Sequence, residues 1–166
     1  MAYKVLIPQD VADTGKQYLR DRGYEIKMGS GVSLEQLKAD VQDCDAILAR
    51  TAKFPAELIE AAPKLKVIGR HGVGYDNIAV DKAEELGIYV TNAPESNANS
   101  VAEHTIGLII ASAHYFTKCD KELRKGNWEV RNQVKGFDIE GKTLGIVGLG
   151  KIGRRVAKKA KLGLEM

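Results

Sequence analysis

The fold of the second half of this chain is decided by the stretch LGIVGLGKIG at residues 144–153. Its apolar run, Leu144–Val147, is typical of a buried strand, and a helix-forming segment, Arg154–Leu162, follows it. Between them the glycines have G-x-G-x-x-G spacing, in which the first allows a tight turn, the second the close approach of a pyrophosphate and the third close packing of the helix. This order predicts a dinucleotide-binding βαβ unit, and a glycine-rich turn without a ligand is the alternative.

The predicted cofactor contacts lie in this turn and at the start of the helix, where free N–H groups and the helix dipole favour phosphate. They are Gly148, Gly150, Lys151, Ile152 and Gly153. The complete fingerprint also has a second strand, with an acidic residue roughly 20 positions later for the ribose hydroxyls. Since the sequence ends at Met166, before that position, we expect this Rossmann domain to be incomplete.

Composition and charge suit a globular protein and are compatible with an anionic small substrate without indicating one. The 166 residues are 44% apolar, which suits one domain or one and a half. No apolar run reaches the ~18 residues of a membrane span, and we expect neither a membrane segment nor a signal peptide. The net charge of +3 is mild and does not indicate nucleic acid. Cys44 and Cys119 have no metal or redox spacing, which favours the cytoplasm.

The first half of the chain alternates strand and helix signals with short connections, which predicts a parallel sheet with helices on its faces. Gly23 and Gly87 are placed to end two of the helices, and Ser33 with Gln36 forms a capping box that begins another. Strands are predicted at Val5–Ile7, Tyr24–Ile26, Ala46–Leu48, Leu65–Ile68 and Ile88–Val90, and helices up to about Arg22, after Ser33, over Ala56–Ala61 and over Val80–Leu86.

The pattern changes at the turn-rich stretch Asn92–Asn97. Ser100 and Glu103 have the spacing of a second capping box and predict the longest helix, which we expect to reach about Lys118. We therefore place a domain boundary near Asn97, which separates residues 1–97 from residues 98–166.

Several candidate binding residues follow the predicted strands, and ligands bind at this edge of open α/β sheets. The glycines of HGVG, residues 71–74, would let backbone N–H groups face an anion, although an ordinary loop is the alternative. Arg50 and Lys53 could hold a carboxylate or phosphate, but from the residues alone a solvated pair of cations is the favoured explanation. His71 has no neighbour in sequence to orient it as a base.

The polar residues around the long helix have simple structural explanations. Capping accounts for Asn97 and Ser100, although an amide at that place could also contact substrate. His104 and His114 do not share a helix face and match no metal-binding spacing, so we interpret both as structural and predict no metal site.

The motifs occur in a recognisable order: GVGYDNI at residues 72–78, GIYVTNAP at 87–94, Asn97, SVAEH at 100–104 and GKTLGIVGLGKIG at 141–153. Together they resemble the D-isomer-specific 2-hydroxyacid dehydrogenases, and within that family the phosphoglycerate dehydrogenase branch. The resemblance covers essentially the whole chain and implies a flavodoxin-like substrate domain followed by the start of an NAD-binding Rossmann domain.

The resemblance also implies roles for individual residues. The substrate would be a small anionic 2-hydroxy or 2-keto acid, bound by Arg50, Gly72, Val73, Gly74 and Asn97. The cofactor would be NAD, bound by Ser100 together with Gly148, Gly150, Lys151, Ile152 and Gly153. The reaction moves a hydride between the nicotinamide and C2 of the acid.

In the family the catalytic arginine, glutamate and histidine follow the glycine-rich turn, beyond the position of Met166 here. We therefore expect no catalytic residue within this chain and no activity from the chain alone. The uncovered apolar surfaces of the second part predict that it forms a homodimer through the helix after Ser100, or is poorly ordered, or both. The alternative is a non-catalytic protein for dinucleotide sensing or dimerisation on the same scaffold.

Overall fold

The structure is a computed structural model that describes residues 2–166. The chain divides into two compact units, Met1–Ser96 and Asn97–Met166, each with its own internal contacts. We describe the two units one after the other.

The first unit is built on one sheet of five parallel strands in the order β2-β1-β3-β4-β5. This is the flavodoxin-like order, and its switch point lies between β1 and β3. The predicted α/β class with a flavodoxin-like parallel sheet is therefore confirmed. The strands are β1 (Lys4–Ile7), β2 (Glu25–Met28), β3 (Ala46–Ala49), β4 (Val67–Arg70) and β5 (Tyr89–Thr91), and the helices are α1 (Asp13–Arg20), α2 (Leu34–Asp40), α3 (Ala56–Glu60) and α4 (Val80–Glu85), with a short 3-10 helix at Val41–Asp43.

Local signals begin and end these helices as the sequence predicts. The Ser33 side chain accepts a hydrogen bond from the Gln36 N–H at 3.3 Å, and the Gln36 side chain accepts one from the Ser33 N–H at 3.2 Å. Gly23 and Gly87, after α1 and α4, have φ of +78° and +70°. Glycine adopts this left-handed conformation without the steric cost that a Cβ imposes.

The core of the first unit lies between the central strands and the helices. Ile47 and Ile68 on β3 and β4 are buried, as is Phe54 after β3. Leu37, Leu58 and Ile59 are the matching buried side chains of α2 and α3. This packed layer fixes the strand ends, and therefore the loops that follow them.

The second unit consists of helices α5 (Ala98–Ala113), α6 (Phe116–Arg124), α7 (Val130–Gln133) and α8 (Lys151–Gly163). Helix α5 packs against α8, and small side chains are buried on both helices, including Ala102 and Ala160. An ion pair of 3.2 Å joins Lys159 on α8 to Glu103 on α5.

The predicted capping box at Ser100 is wrong. Helix α5 begins two residues earlier, at Ala98, with Asn97 at the cap position, and no side chain caps it. Glu103 accepts a hydrogen bond from Asn99 at 2.7 Å and pairs with Lys159. The Glu103 carboxylate, which the capping-box pattern assigned to the helix cap, is therefore engaged by Lys159 instead.

The long helix also ends earlier than we predict from sequence, at Ala113 and not near Lys118. Tyr115 has φ +54°, in the left-handed region, and a new helix begins directly after it at Phe116. The apolar spacing continues across this break, so periodicity alone does not reveal it.

The predicted strand at Leu144–Val147 is absent. Within residues 2–166 this segment pairs with no strand, and the Val147 side chain is fully exposed. A strand needs a neighbour for its N–H and C=O groups, and the described chain supplies none here. The following helix begins at Lys151, three residues before the predicted start.

Candidate functional site

The loops after the strands of the first unit meet at the carboxyl edge of its sheet, where ligands bind in open α/β folds. Gln9 follows β1, Arg50 follows β3, His71 follows β4 and Asn92 follows β5. Since β3 and β4 are adjacent, the loops of Arg50 and His71 begin side by side.

The loop after β4 has a backbone that requires glycine. Gly72 has φ +146°, and a Cβ at this position would overlap the guanidinium of Arg70. The Ala93 N–H donates to the Gly72 carbonyl at 2.9 Å, and the Asn92 amide donates to the Val73 carbonyl at 2.7 Å. The loop is therefore held through its carbonyl groups by the segment after β5.

Two N–H groups of this loop, in contrast, are open. The N–H of Gly72, which we expected to face the anion as well, donates to the Arg70 carbonyl at 2.9 Å. Within the part of the chain that the structure describes, the N–H groups of Val73 and Gly74 donate no hydrogen bond. Both residues are exposed. Successive free N–H groups with their carbonyls bound elsewhere favour an anion such as a carboxylate.

Arg50 provides a positive charge beside this loop. Its guanidinium donates to the Asp10 carbonyl at 2.5 Å and forms no ion pair among residues 2–166. The Asp10 carboxylate is occupied by Lys16 at 2.9 Å, and this hydrogen bond is the main reason that the pKa of Asp10 is lowered. The charge of Arg50 therefore remains available to an anionic ligand.

Two cations near Arg50 differ in their surroundings. Lys53 is exposed and pairs with no carboxylate in the described chain. Arg70, at the end of β4, donates to the His71 carbonyl, and its buried Nε has no partner among residues 2–166. We did not predict Arg70 from the sequence, although an arginine that ends an apolar strand is a signal for this edge.

The three histidines show no catalytic arrangement within residues 2–166. His71 uses its backbone N–H in the sheet, 2.8 Å from the Ala49 carbonyl, and its side chain is exposed. His104 is exposed on α5, and the ring of His114 lies 6.0 Å from that of Phe116. No group of His, Cys, Asp or Glu in this described part has metal-binding geometry.

The residues at the start of α5 have free side chains. Asn97 and Ser100 are exposed, and neither side chain caps the helix. Helix capping, which we expected as the simple structural explanation for both residues, is therefore wrong. Their polar groups are open to solvent or a ligand.

In the second unit, the glycine-rich turn has a geometry that fits each expected role of its glycines. Gly148 has φ +90°, which allows the turn. A Cβ on Gly153 would overlap the Gly148 carbonyl oxygen, so close packing of α8 on the turn requires glycine there. A Cβ on Gly150 would meet nothing within 4 Å. The open space at Gly150, together with the unbonded N–H of Ile152 at the start of α8, fits a phosphate group.

Comparison with known proteins shows the family of this chain. The sequence model of the family described as D-isomer specific 2-hydroxyacid dehydrogenase, catalytic domain, matches residues 5–161. The chain belongs to this family. The family membership predicted from the order of the motifs is therefore confirmed.

Curated relatives in the family are named D-3-phosphoglycerate dehydrogenase. The one from Archaeoglobus fulgidus is 42% identical over 164 residues, 98% of this chain and 31% of that protein. The human one is 40% identical over 157 residues, 94% of this chain and 29% of that protein. The chain thus spans about a third of the length of these relatives.

Solved structures of the family share the fold. A protein from Thermus thermophilus has a TM-score of 0.87 at 31% identity, covering 98% of this chain and 54% of that one. An NADPH-dependent glyoxylate/hydroxypyruvate reductase from Sinorhizobium meliloti, in complex with NADP and malonate, has a TM-score of 0.77 at 29% identity, covering 97% and 50%. Among the described residues, no helix is long and apolar enough to cross a membrane.

Proposed function

We propose that this chain supplies the substrate-binding domain and the first part of the nucleotide-binding domain of an NAD-dependent 2-hydroxyacid dehydrogenase. The observation that carries the proposal is the pair of open N–H groups of Val73 and Gly74 at the carboxyl edge. They lie on the loop next to the loop of Arg50, whose guanidinium forms no ion pair within the described residues. In this assignment residues 1–97 bind substrate and residues 98–166 begin the cofactor domain.

The proposed substrate is a small 2-hydroxy or 2-keto acid that also carries a phosphate. Its carboxylate would accept hydrogen bonds from the N–H groups of Val73 and Gly74, in the loop that Gly72 shapes, and its phosphate would face Arg50. The free amide of Asn97 is the remaining proposed substrate contact. The names of the curated relatives support the phosphorylated class.

The proposed cofactor is NAD, which accepts or gives the hydride when bound. Gly148, Gly150 and Gly153 would shape its pyrophosphate site, and Lys151 and Ile152 would donate backbone N–H groups there. Ser100 is proposed to lie near the cofactor. The NADP in one structural relative leaves the choice between the two dinucleotides to be tested directly.

We further propose that the catalytic arginine, glutamate and histidine of the family lie outside these residues, so that the 166-residue chain alone is inactive. A homodimer through α5 and a location in the cytoplasm are also proposed. The exposed apolar side chains of the second unit support the dimer, and the free Cys44 and Cys119 support the location.

Calorimetric titration of NADH into the chain tests the cofactor assignment. Gly150→Val places a branched side chain where the pyrophosphate would approach, and we expect it to abolish any saturable binding. Gly145→Val is the matched control, because a Cβ there also meets nothing within 4 Å and the residue precedes the turn.

The outcomes separate the hypotheses. Binding that Gly150→Val leaves unchanged contradicts the pyrophosphate site. Binding lost only in Gly150→Val supports it and shows that the chain, alone or paired, completes a cofactor site. A folded wild-type chain that binds no NADH agrees with an incomplete site. Binding in a longer chain that has the family's catalytic residues, without turnover of any 2-keto acid, favours the non-catalytic sensing alternative.

A further inference from the structure

The loop that carries Arg50 is held by two side-chain amides from outside it. From the end of β1, Gln9 Oε1 accepts hydrogen bonds from the N–H groups of Thr51 at 2.9 Å and Ala52 at 2.8 Å. From the loop after β4, Asn77 Nδ2 donates to the carbonyls of Arg50 at 3.0 Å and Ala52 at 2.6 Å.

These contacts provide hydrogen-bond partners for backbone groups that lie beyond the end of the sheet. After Ala49 the ladder of β3 ends, so the N–H and C=O groups of the next residues need other partners. Gln9 and Asn77 supply them from opposite sides. Gln9 Nε2 also donates to the Thr51 hydroxyl at 3.0 Å, so both the nitrogen and the oxygen of the Gln9 amide bond the loop.

The guanidinium of Arg50 is fixed to the same turn as Gln9. It donates to the carbonyl of Asp10, the next residue after Gln9. The backbone and the tip of Arg50 are thus both fixed relative to the turn after β1. An arginine that is already ordered loses less conformational entropy when an anion binds, and its direction is set before the ligand arrives.

We propose that Gln9 and Asn77 are positioning residues for Arg50 and thereby determine the preference for a phosphorylated acid over its unphosphorylated counterpart. This inference rests on the proposed function, in which Arg50 faces the phosphate. The two residues act through the loop. The carboxylate contact at Val73 and Gly74 lies on the loop after β4, to which the Gln9 side chain makes no hydrogen bond within the described residues.

The test compares the affinities of the full 166-residue chain for D-3-phosphoglycerate and D-glycerate, which differ only in the phosphate. Gln9→Met keeps the length of the side chain and removes its hydrogen bonds. We expect it to weaken phosphoglycerate binding about tenfold and to leave glycerate binding within about twofold. The matched control is Gln42→Met, because the Gln42 side chain likewise makes two hydrogen bonds to the backbone, but away from this edge. It donates to the carbonyls of Lys38 and Ala61 at 2.7 and 2.8 Å.

Arg50→Ala separates this inference from the proposed function. If Arg50→Ala weakens both ligands equally, or the folded wild-type chain does not prefer phosphoglycerate, the phosphate site and the inference are both overturned. If Arg50→Ala removes the preference but Gln9→Met does not, only the positioning role is overturned. Equal weakening of both ligands by Gln9→Met would indicate a merely structural contact and would also overturn it.

Asn77→Ala is the second variant, in case Gln9→Met does not fold. It removes the two donors on the other side of the loop, and we expect the same selective loss for phosphoglycerate. A folded Asn77→Ala chain with unchanged preference would contradict the inference.

Discussion

Gly153 is the single residue that lets α8 pack closely on the glycine-rich turn. A Cβ there would overlap the Gly148 carbonyl oxygen, which belongs to the backbone and cannot move aside like a flexible side chain. We expect Gly153→Ala to lower the free energy of unfolding of the second unit by about 1–3 kcal/mol.

Thermal unfolding followed by circular dichroism measures this effect. The control is Gly150→Ala, whose added Cβ meets nothing within 4 Å, and its stability should stay within about 0.5 kcal/mol of wild type. Equal stability of the two variants would show that the turn adjusts freely.

Asp43 makes the stability of the first unit depend on pH. Its carboxylate lies 2.7 Å from Lys4 Nζ and 2.9 Å from Lys27 Nζ, and these hydrogen bonds, first that from Lys4, hold the pKa of Asp43 well below its usual range. A lowered native pKa stabilises the fold above the unfolded value of about 4, and this contribution declines as the pH falls toward the native pKa.

Asp43→Asn should therefore unfold at lower urea than wild type at pH 7, and the difference should shrink at pH 3. Asp138→Asn is the control, because Asp138 is exposed and forms no ion pair within the described residues. A difference between Asp43→Asn and wild type that is the same at both pH values would contradict the ionic explanation.

Single residues also show what the sequence could and could not predict about the site. Arg50 and the loop at Gly72 were candidates because each directly follows an apolar strand, and the family resemblance, not the local pattern, assigned them to the substrate. Gln9 was missed because its partners, Thr51 and Ala52, lie more than 40 positions away in sequence. Contacts of this kind leave no local pattern, and only the sheet order brings them together.

At the scale of elements, two serines with the same local pattern behave differently. Ser33 caps α2 with a complete capping box, whereas Ser100 lies within the first turn of α5 and caps nothing. Ser33→Ala should cost ~1 kcal/mol of stability, and Ser100→Ala should cost less than about 0.5 kcal/mol, since alanine is a good helix former.

Urea midpoints of the two variants check this prediction, and each serves as the control for the other. An equal loss in both would mean that Ser100 does cap a helix in solution. The comparison also measures how far a capping-box pattern alone can be used to locate the start of a helix.

The inner strands of the first unit, such as β1 and β3, were predictable because each contains a short apolar run that neighbours cover, whereas the edge strands β2 and β5 are partly exposed. The predicted bounds of the strands differ from the observed ones by at most two residues. Leu144–Val147 has the same composition but forms no strand, because a strand also depends on partners elsewhere in the chain. Composition predicts the tendency of a segment to form a strand, and pairing with a neighbouring strand decides whether the strand forms.

At the scale of the whole molecule, the second unit exposes many large apolar side chains. They include Leu108, Phe116, Trp128, Val147 and Leu162. Exposed apolar side chains in this number favour association with another protein or aggregation. We expect the chain to self-associate at micromolar concentration.

Leu108→Glu should raise the dissociation constant about tenfold or more, since it places a charge on the exposed face of α5. Sedimentation equilibrium measures the change. The control is Val32→Glu, because Val32 is 52% exposed on the first unit, close to the 54% of Leu108. A monomeric wild-type chain, or an equal effect of both variants, would contradict association through α5.

The sheet order has a consequence for how the chain acquires its fold during synthesis. β1 is made first but lies inside the sheet, with β2 on one side and β3 on the other. The edge of β1 that pairs with β3 therefore stays unpaired until residues 46–49 have left the ribosome. The sheet is complete only after residues 89–91, which form β5, have followed. A nascent chain that pauses before the sheet is complete exposes the unpaired edge of a strand that is central in the finished sheet. Misassembly with a neighbouring nascent chain would begin at this stage.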